Sequence, residues 1–159
     1  MEVLDIVGLI QQRLDSVESQ CREARIAVDL ITGSTTVLIM GDSQRLTQLI
    51  DNLLQNSLRY TNANGTIKID LTILDEQNSL NIDWNDSSPG IDDDNLPRLF
   101  DPLFRAEPSR NRTLGGAGLG LAIVKKIVDA HQGSISANHS DLGGVAISIQ
   151  LPLFDQASI

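Results

Sequence analysis

Four of the chain's twelve glycines fall within six residues, Gly115-Gly116-Ala117-Gly118-Leu119-Gly120, immediately before a strongly apolar helical pattern. Backbone amides in such a run can approach a ligand with no side chain in the way, and the start of the following helix favours an anion. That arrangement suits phosphate, although glycine runs also serve as ordinary loops. The cluster closes a longer stretch that organises the chain. It opens on Ser88-Pro89-Gly90-Ile91, passes an acidic run Asp92-Asp93-Asp94 and an apolar knot Leu99-Phe100-Asp101-Pro102-Leu103-Phe104, and ends at Leu121.

A chain of 159 residues that is 41% hydrophobic can bury one good core, so one main domain is expected. A net charge of −9 with one Trp and one Tyr argues against a nucleic-acid surface. The single Cys21 excludes an internal disulfide and a cysteine zinc cluster, and reads as a small helix residue in a reducing compartment. No apolar run approaches the roughly 20 residues that cross a bilayer, and no signal-peptide pattern opens the chain. The expectation is a soluble segment without membrane contact of its own, which can belong to something anchored elsewhere.

In chain order, Leu4, Val7, Ile10, Leu14 and Val17 recur at helical spacing, predicting a helix from Met1 to about Arg25. Residues 26–31 and 37–40 read as strands, and Asp42 or Ser43 as the N-cap of a helix to Tyr60. On that helix Leu46, Leu49, Ile50, Leu53, Leu54 and Ser57 share one broad face. Gln48, Asn52, Asn56 and Arg59 form a narrow stripe beside it. Amide oxygens can ligate a hard cation such as Mg²⁺ and Arg can meet a phosphate, whereas a solvated helix face is the competing explanation.

Residues 66–73 and 80–85 read as a hairpin with Asp86 at its end. A carboxylate fixed there can accept a hydrogen bond from the exocyclic amine of adenine, while guanine would turn a carbonyl toward it. An Asx-type turn cap is the plainer role for Asp before Ser and Pro. Arg105, Arg110 and Arg112 lie in an aperiodic segment that reads either as a lid offering charge to phosphates or as a soluble loop. A helix from Gly118 to about Ala130 is expected to bury Leu119, Ile123 and Ile127, with His131 and Gly133 as its stop and His131 suiting the helix dipole. Strands follow at 134–138 and 145–152, and the tail 156–159 is expected to fray.

Taken together these residues resemble the ATP-binding domain of the sensor histidine kinases. Asn52-Leu53-Leu54-Gln55-Asn56 with Arg59-Tyr60-Thr61 is similar to the N box, and Asp86 to Ile91 to the first glycine box. Phe100 and Phe104 resemble the F box, Gly116 to Ile123 the second glycine box, and Gly143-Gly144 the last. Five motifs in order cover nearly all of the chain from about residue 25.

The resemblance implies a Bergerat-type, two-layer α/β sandwich with a mixed sheet of about five strands and helices on one face. It divides the chain into an N-terminal helix, 1–24, continuing from a dimerisation hairpin, a catalytic ATP-binding domain, 25–155, and a tail. It makes Asn56 a Mg²⁺ ligand and gives Asn52 and Arg59 to the triphosphate. Tyr60 lies against the adenine, Asp86 reads its amine, and Gly90 with Ile91 lets the base approach. Gly116, Gly118 and Gly120, with Leu119 and Leu121, wrap the phosphates, and Arg110 is a lid contact. Phe100 and Phe104 anchor the lid.

The implied chemistry is transfer of the γ-phosphate of ATP·Mg²⁺ to a histidine on a separate dimerisation and phosphotransfer domain, with a response regulator as the next partner. The parent protein would be a homodimeric inner-membrane sensor with this domain in the cytoplasm. Ser88 departs from the glycine usual in the first glycine box. Neither His131 nor His139 has the setting of the family's acceptor histidine, so both read as structural. The alternatives are an ATP-hydrolysing clamp of the same superfamily, which would carry a water-activating Glu where Asn52 stands, and a non-catalytic ATP-dependent docking module.

Overall fold

A computed structural model describes residues 1–102 and 120–155. Alternation along three strands makes the core wall. In β4 (Thr66–Leu74), Ile67, Ile69 and Leu71 point inward, as do Leu80, Ile82 and Trp84 in β5 (Ser79–Asp86) and Ile147, Ile149 and Leu151 in β7 (Val145–Pro152). Their register aligns Ile69, Trp84 and Ile147 in one row and Leu71, Ile82 and Ile149 in the next. With β2 (Ala27–Thr32) and β6 (Ser134–His139) the five-stranded sheet has the order β2-β4-β5-β7-β6. Only the β2–β4 pair is parallel, so the sheet is mixed, as expected.

Helix α3 (Ser43–Tyr60) covers the inward face with Leu46, Leu49, Ile50, Leu53, Leu54 and Ser57, the face expected from the spacing. Asp42 caps it, its carboxylate accepting from the amides of Gln44 and Arg45. The Arg45 amide above all, with the Gln44 amide and the Arg45 charge, holds the Asp42 carboxyl below the usual carboxylate range. Helix α4 (Gly120–Ala130) packs beside α3 on the same face.

The buried face of α4 consists of Leu121, Ala122, Val124, Ile127 and Val128, and Ile123 is only partly buried. Of the expected face, Ile127 is buried, Ile123 is only half so, and Leu119 lies outside the described residues. In so apolar a helix the periodicity does not select one stripe, and contact with α3 does. The helix stops before His131 as expected, with the Gly133 amide donating to the Val128 carbonyl (3.0 Å), and Gln132 between them takes the left-handed conformation (φ 60°). His131 is buried and Nε2 accepts from the Asp42 amide (3.1 Å), while Nδ1 lies 2.7 Å from the Ile127 carbonyl. Those partners select the tautomer with its proton on Nδ1, so His131 ties the end of α4 to the start of α3 instead of serving the helix dipole as a cation.

The N-terminal stretch is not one helix. Glu2–Asp5 form a strand, β1, antiparallel to β3 (Leu38–Gly41), followed by α1 (Ile6–Ser16) and α2 (Glu18–Ala24). Leu4 fits the helical spacing by coincidence, and pairing with Ile39 overrides it. Asp5 makes the switch from strand to helix, since Oδ1 accepts from the amides of Val7 (3.1 Å) and Val37 (3.0 Å). Ile6, Val7 and Ile10 of α1 join the same core as α3, and Arg13 pairs with Asp51 at 2.8 Å. Cys21 is buried on α2, and burial pushes its thiol up, which fits the packing role. Because Asp5 caps α1 and anchors β3 together, Asp5→Ala is expected to cost about 1–2 kcal/mol in urea unfolding.

Candidate functional site

The inward row of β5 continues one step beyond Trp84 to Asp86, so the period of two that builds the core also carries a carboxylate beneath the C-terminal half of α3. Asp86 is only 5% exposed. Its Oδ1 accepts from the amides of Ser88 (3.2 Å) and Val145 (3.1 Å), and among the described residues Oδ2 has one long contact, 3.5 Å from Ser57 Oγ. Ser57 Oγ in turn accepts from Trp84 Nε1 at 3.0 Å. Backbone amides thus hold the charge on one oxygen and leave acceptor capacity on the other. The turn-cap role expected from sequence is met by Oδ1.

Two glycine turns close on this carboxylate. A Cβ on Gly144 would lie 2.3 Å from Asp86 Oδ1 and 2.5 Å from its carbonyl oxygen, so only glycine lets β7 approach. Gly90 has φ +89°, a left-handed conformation natural to glycine. Ser88, the departure from the family pattern, is buried, and its Oγ accepts from the Gly90 amide at 3.4 Å.

On α3, Asn52, Asn56, Arg59 and Tyr60 are half-buried, whereas Gln48, one turn before Asn52, is exposed. Asn52 Nδ2 donates to the Gly120 carbonyl at 3.4 Å, joining the stripe to the first residue of α4. The C-terminal half of α3 thus meets the start of α4 at Asn52 and the end of β5 at Ser57. Ile91 is half-buried beyond the Gly90 turn, Leu121 is seated in the core, and Phe100 packs against that core. Arg105, Arg110, Arg112, Phe104, Gly116, Gly118 and Leu119 lie outside the described residues.

Residues 41–155 match the family model described as histidine kinase-, DNA gyrase B-, and HSP90-like ATPase. The chain belongs to this ATPase family. It is similar to the signal transduction histidine-protein kinase BaeS of Escherichia coli (strain K12), with 48% identity over 118 residues, covering 74% of this chain and 25% of BaeS. Sensor protein SphS of Synechococcus elongatus is 35% identical over 159 residues, covering 96% of this chain and 38% of SphS. The chain thus spans 25–38% of the length of these two relatives. Among solved structures, the mycobacterial sensor histidine kinase MprB superposes with a TM-score of 0.82 at 28% identity, covering 96% of this chain and 98% of that one. The nucleotide-free catalytic domain of histidine kinase ThkA gives 0.83 at 28% identity, with 96% of both chains covered.

Within this ATPase fold, sequence reasoning located Asp86 and the carboxamide stripe but not the parts that hold Asp86 still. The spacing puts Ser57 only on the buried face and gives no role to Trp84 or the Val145 amide. The available signal was a hydroxyl amid leucines, since a buried polar group needs a partner. The glycine geometry gives a paired expectation. Gly144→Ala should lose about 1–3 kcal/mol of stability by displacing Asp86. Gly120→Ala should lose none in the same thermal unfolding assay, because among the described residues a Cβ there meets nothing within 4 Å.

Proposed function

We propose that the chain is the ATP-binding catalytic unit of a sensor histidine kinase. It would transfer the γ-phosphate of ATP to a histidine imidazole on a separate dimerisation and phosphotransfer domain, from which a cognate response regulator receives it. The observation that carries this reading is Asp86, a buried carboxylate with one oxygen pinned by two backbone amides and the other able to accept from an adenine amine. The family match and the kinase relatives support it.

The donor set fits a magnesium nucleotide. Asn56, one helical turn from Asn52, offers a neutral amide oxygen of the kind a hard cation accepts alongside phosphate oxygens. Bound Mg²⁺ would neutralise charge on the phosphates. Arg59 supplies positive charge from the same helix, and Tyr60 an aromatic surface for the base. Arg110, Gly116, Gly118 and Gly120, with the backbone of Leu119 and Leu121, complete the phosphate cradle in this reading, and Gly90 and Ile91 border the base.

The acceptor imidazole attacks phosphorus with its lone pair while the bond to the β-phosphate oxygen breaks. ADP leaves, and the imidazole proton passes to solvent. No strong base is required, so the domain's work is positioning. Asn52 suits this and not water activation, because its carboxamide donates to the Gly120 carbonyl and cannot take a proton. Among the described residues no helix is long and apolar enough to cross a membrane. Attachment to an inner-membrane, dimeric sensor with this unit in the cytoplasm is part of the proposal.

Mixing the chain with a separately made acceptor-hairpin domain and γ-labelled ATP tests the reading. Acid-labile phosphohistidine is expected, and its absence despite ATP binding would favour a docking module. Asp86→Asn tests the base contact more finely. The amides of Ser88 and Val145 oblige the introduced carboxamide to turn its oxygen toward them, so its NH₂ faces the adenine amine. ATP affinity should fall about tenfold to a hundredfold by calorimetry, and the preference for ATP over GTP should narrow. Gly120→Ala should weaken ATP more than adenosine while the fold is unaffected, since among the described residues its methyl group meets no atom within 4 Å.

A further inference from the structure

Asp86 can discriminate a base only if its free oxygen stays in one place, and two buried residues stand behind that oxygen. Trp84 and Ser57 are each 2% exposed. The indole Nε1–H donates to Ser57 Oγ at 3.0 Å, and Ser57 Oγ lies 3.5 Å from Asp86 Oδ2. An indole N–H can only donate, so it commits Ser57 Oγ as an acceptor and leaves the hydroxyl one proton to give. Buried helix serines otherwise turn that proton to the carbonyl four residues back, but a carboxylate makes the stronger, charge-assisted bond. At 3.5 Å the contact is long. Among the described residues it is the one side-chain contact to the carboxylate, and its length leaves that oxygen able to accept from a ligand.

We infer that Ser57, oriented by the Trp84 indole, is a positioning residue for adenine recognition: its hydroxyl fixes the plane of Asp86 so that Oδ2 faces the exocyclic amine. The inference rests on the ATP reading proposed above and adds the pair of side chains that sets its base specificity. Oδ1 is held by Ser88 and Val145, which belong to two different glycine turns, so movement in either turn would rotate the carboxylate. Ser57 is the side-chain restraint on the other oxygen, and it comes from α3, the helix that also carries Asn52 and Asn56. Base reading and phosphate handling would thereby share one rigid element.

The test compares the full chain with Ser57→Ala and Trp84→Phe in calorimetric titrations with Mg²⁺ and two ligands, ATP and purine riboside triphosphate, which lacks the 6-amino group. Melting curves establish that each variant is folded at the titration temperature. Ser57→Ala should weaken ATP about tenfold and leave the analogue unchanged, and Trp84→Phe should produce a smaller loss of the same selectivity. In an Asp86→Asn background, Ser57→Ala should add no further loss for ATP. Equal weakening of both ligands would assign Ser57 to fold support and overturn the inference, as would unchanged ATP affinity in Ser57→Ala. If the unsubstituted chain binds neither ligand, the ATP reading itself fails and takes this inference with it. Binding with unaltered selectivity in the variants overturns the positioning role alone.

Discussion

The inward row of β5 runs Leu80, Ile82, Trp84 and then Asp86, so a charge follows directly on hydrocarbon in a wall otherwise built for α3. A carboxylate in that position is tolerable only if its surroundings supply hydrogen bonds in place of water. They come from the Ser88 and Val145 amides and, more distantly, from Ser57. That requirement governs the neighbouring chain. The turn after β5 must curl back so that the Ser88 amide reaches Oδ1, and β7 must begin at Val145. Residue 144 must have no side chain, because a Cβ there would occupy the space of the carboxylate.

The same demand explains why the two helices are fixed to each other by polar contacts at both ends. Near the site, Asn52 of α3 donates to the Gly120 carbonyl of α4. At the far end, His131 beyond α4 accepts from the amide of Asp42, the residue that caps α3. Between these two ties both helices bury apolar side chains in one core, Leu46, Leu49 and Leu53 from α3 and Val124, Ile127 and Val128 from α4. Apolar contact alone is non-directional and lets helices slide. The paired hydrogen bonds set their register, and with it the separation of the carboxamide stripe from the start of α4.

Legibility from sequence followed how local each determinant is. Helix α3 was readable in full because its capping Asp42 and its apolar spacing are both encoded within the element. The strands of the hairpin were readable from alternation, and Asp86 from its position at a strand end beside a glycine. Failures occurred where a remote partner decides the outcome. Leu4 keeps helical spacing but pairs with Ile39, and Asp5 serves Val37, which is 32 positions away. Ser57 and Gly144 gain their meaning from Trp84 and Asp86 across the sheet and helix layers, and no spacing within α3 or β7 reveals such partners.

Charge placement follows from the same logic. The chain carries −9 overall, and the proposed ligand is a polyanion. Two like charges 4 Å apart cost about 4 kcal/mol at the effective dielectric of a protein surface, so carboxylates on the phosphate-facing stripe would oppose binding before any contact formed. Positions 52 and 56 are instead neutral amides followed by Arg59, and the acidic run at residues 92–94 is exposed on a different segment. The one buried acid of the site, Asp86, belongs to the base end of the proposed nucleotide, where the partner is an amine and a negative charge is an advantage. An amide ligand is weak for Mg²⁺ without phosphate oxygens to share the ion, so metal and nucleotide are expected to arrive together. In the proposed reading, the acid that meets the base is kept apart from the amides that meet the phosphates, which lets an acidic chain hold a triphosphate.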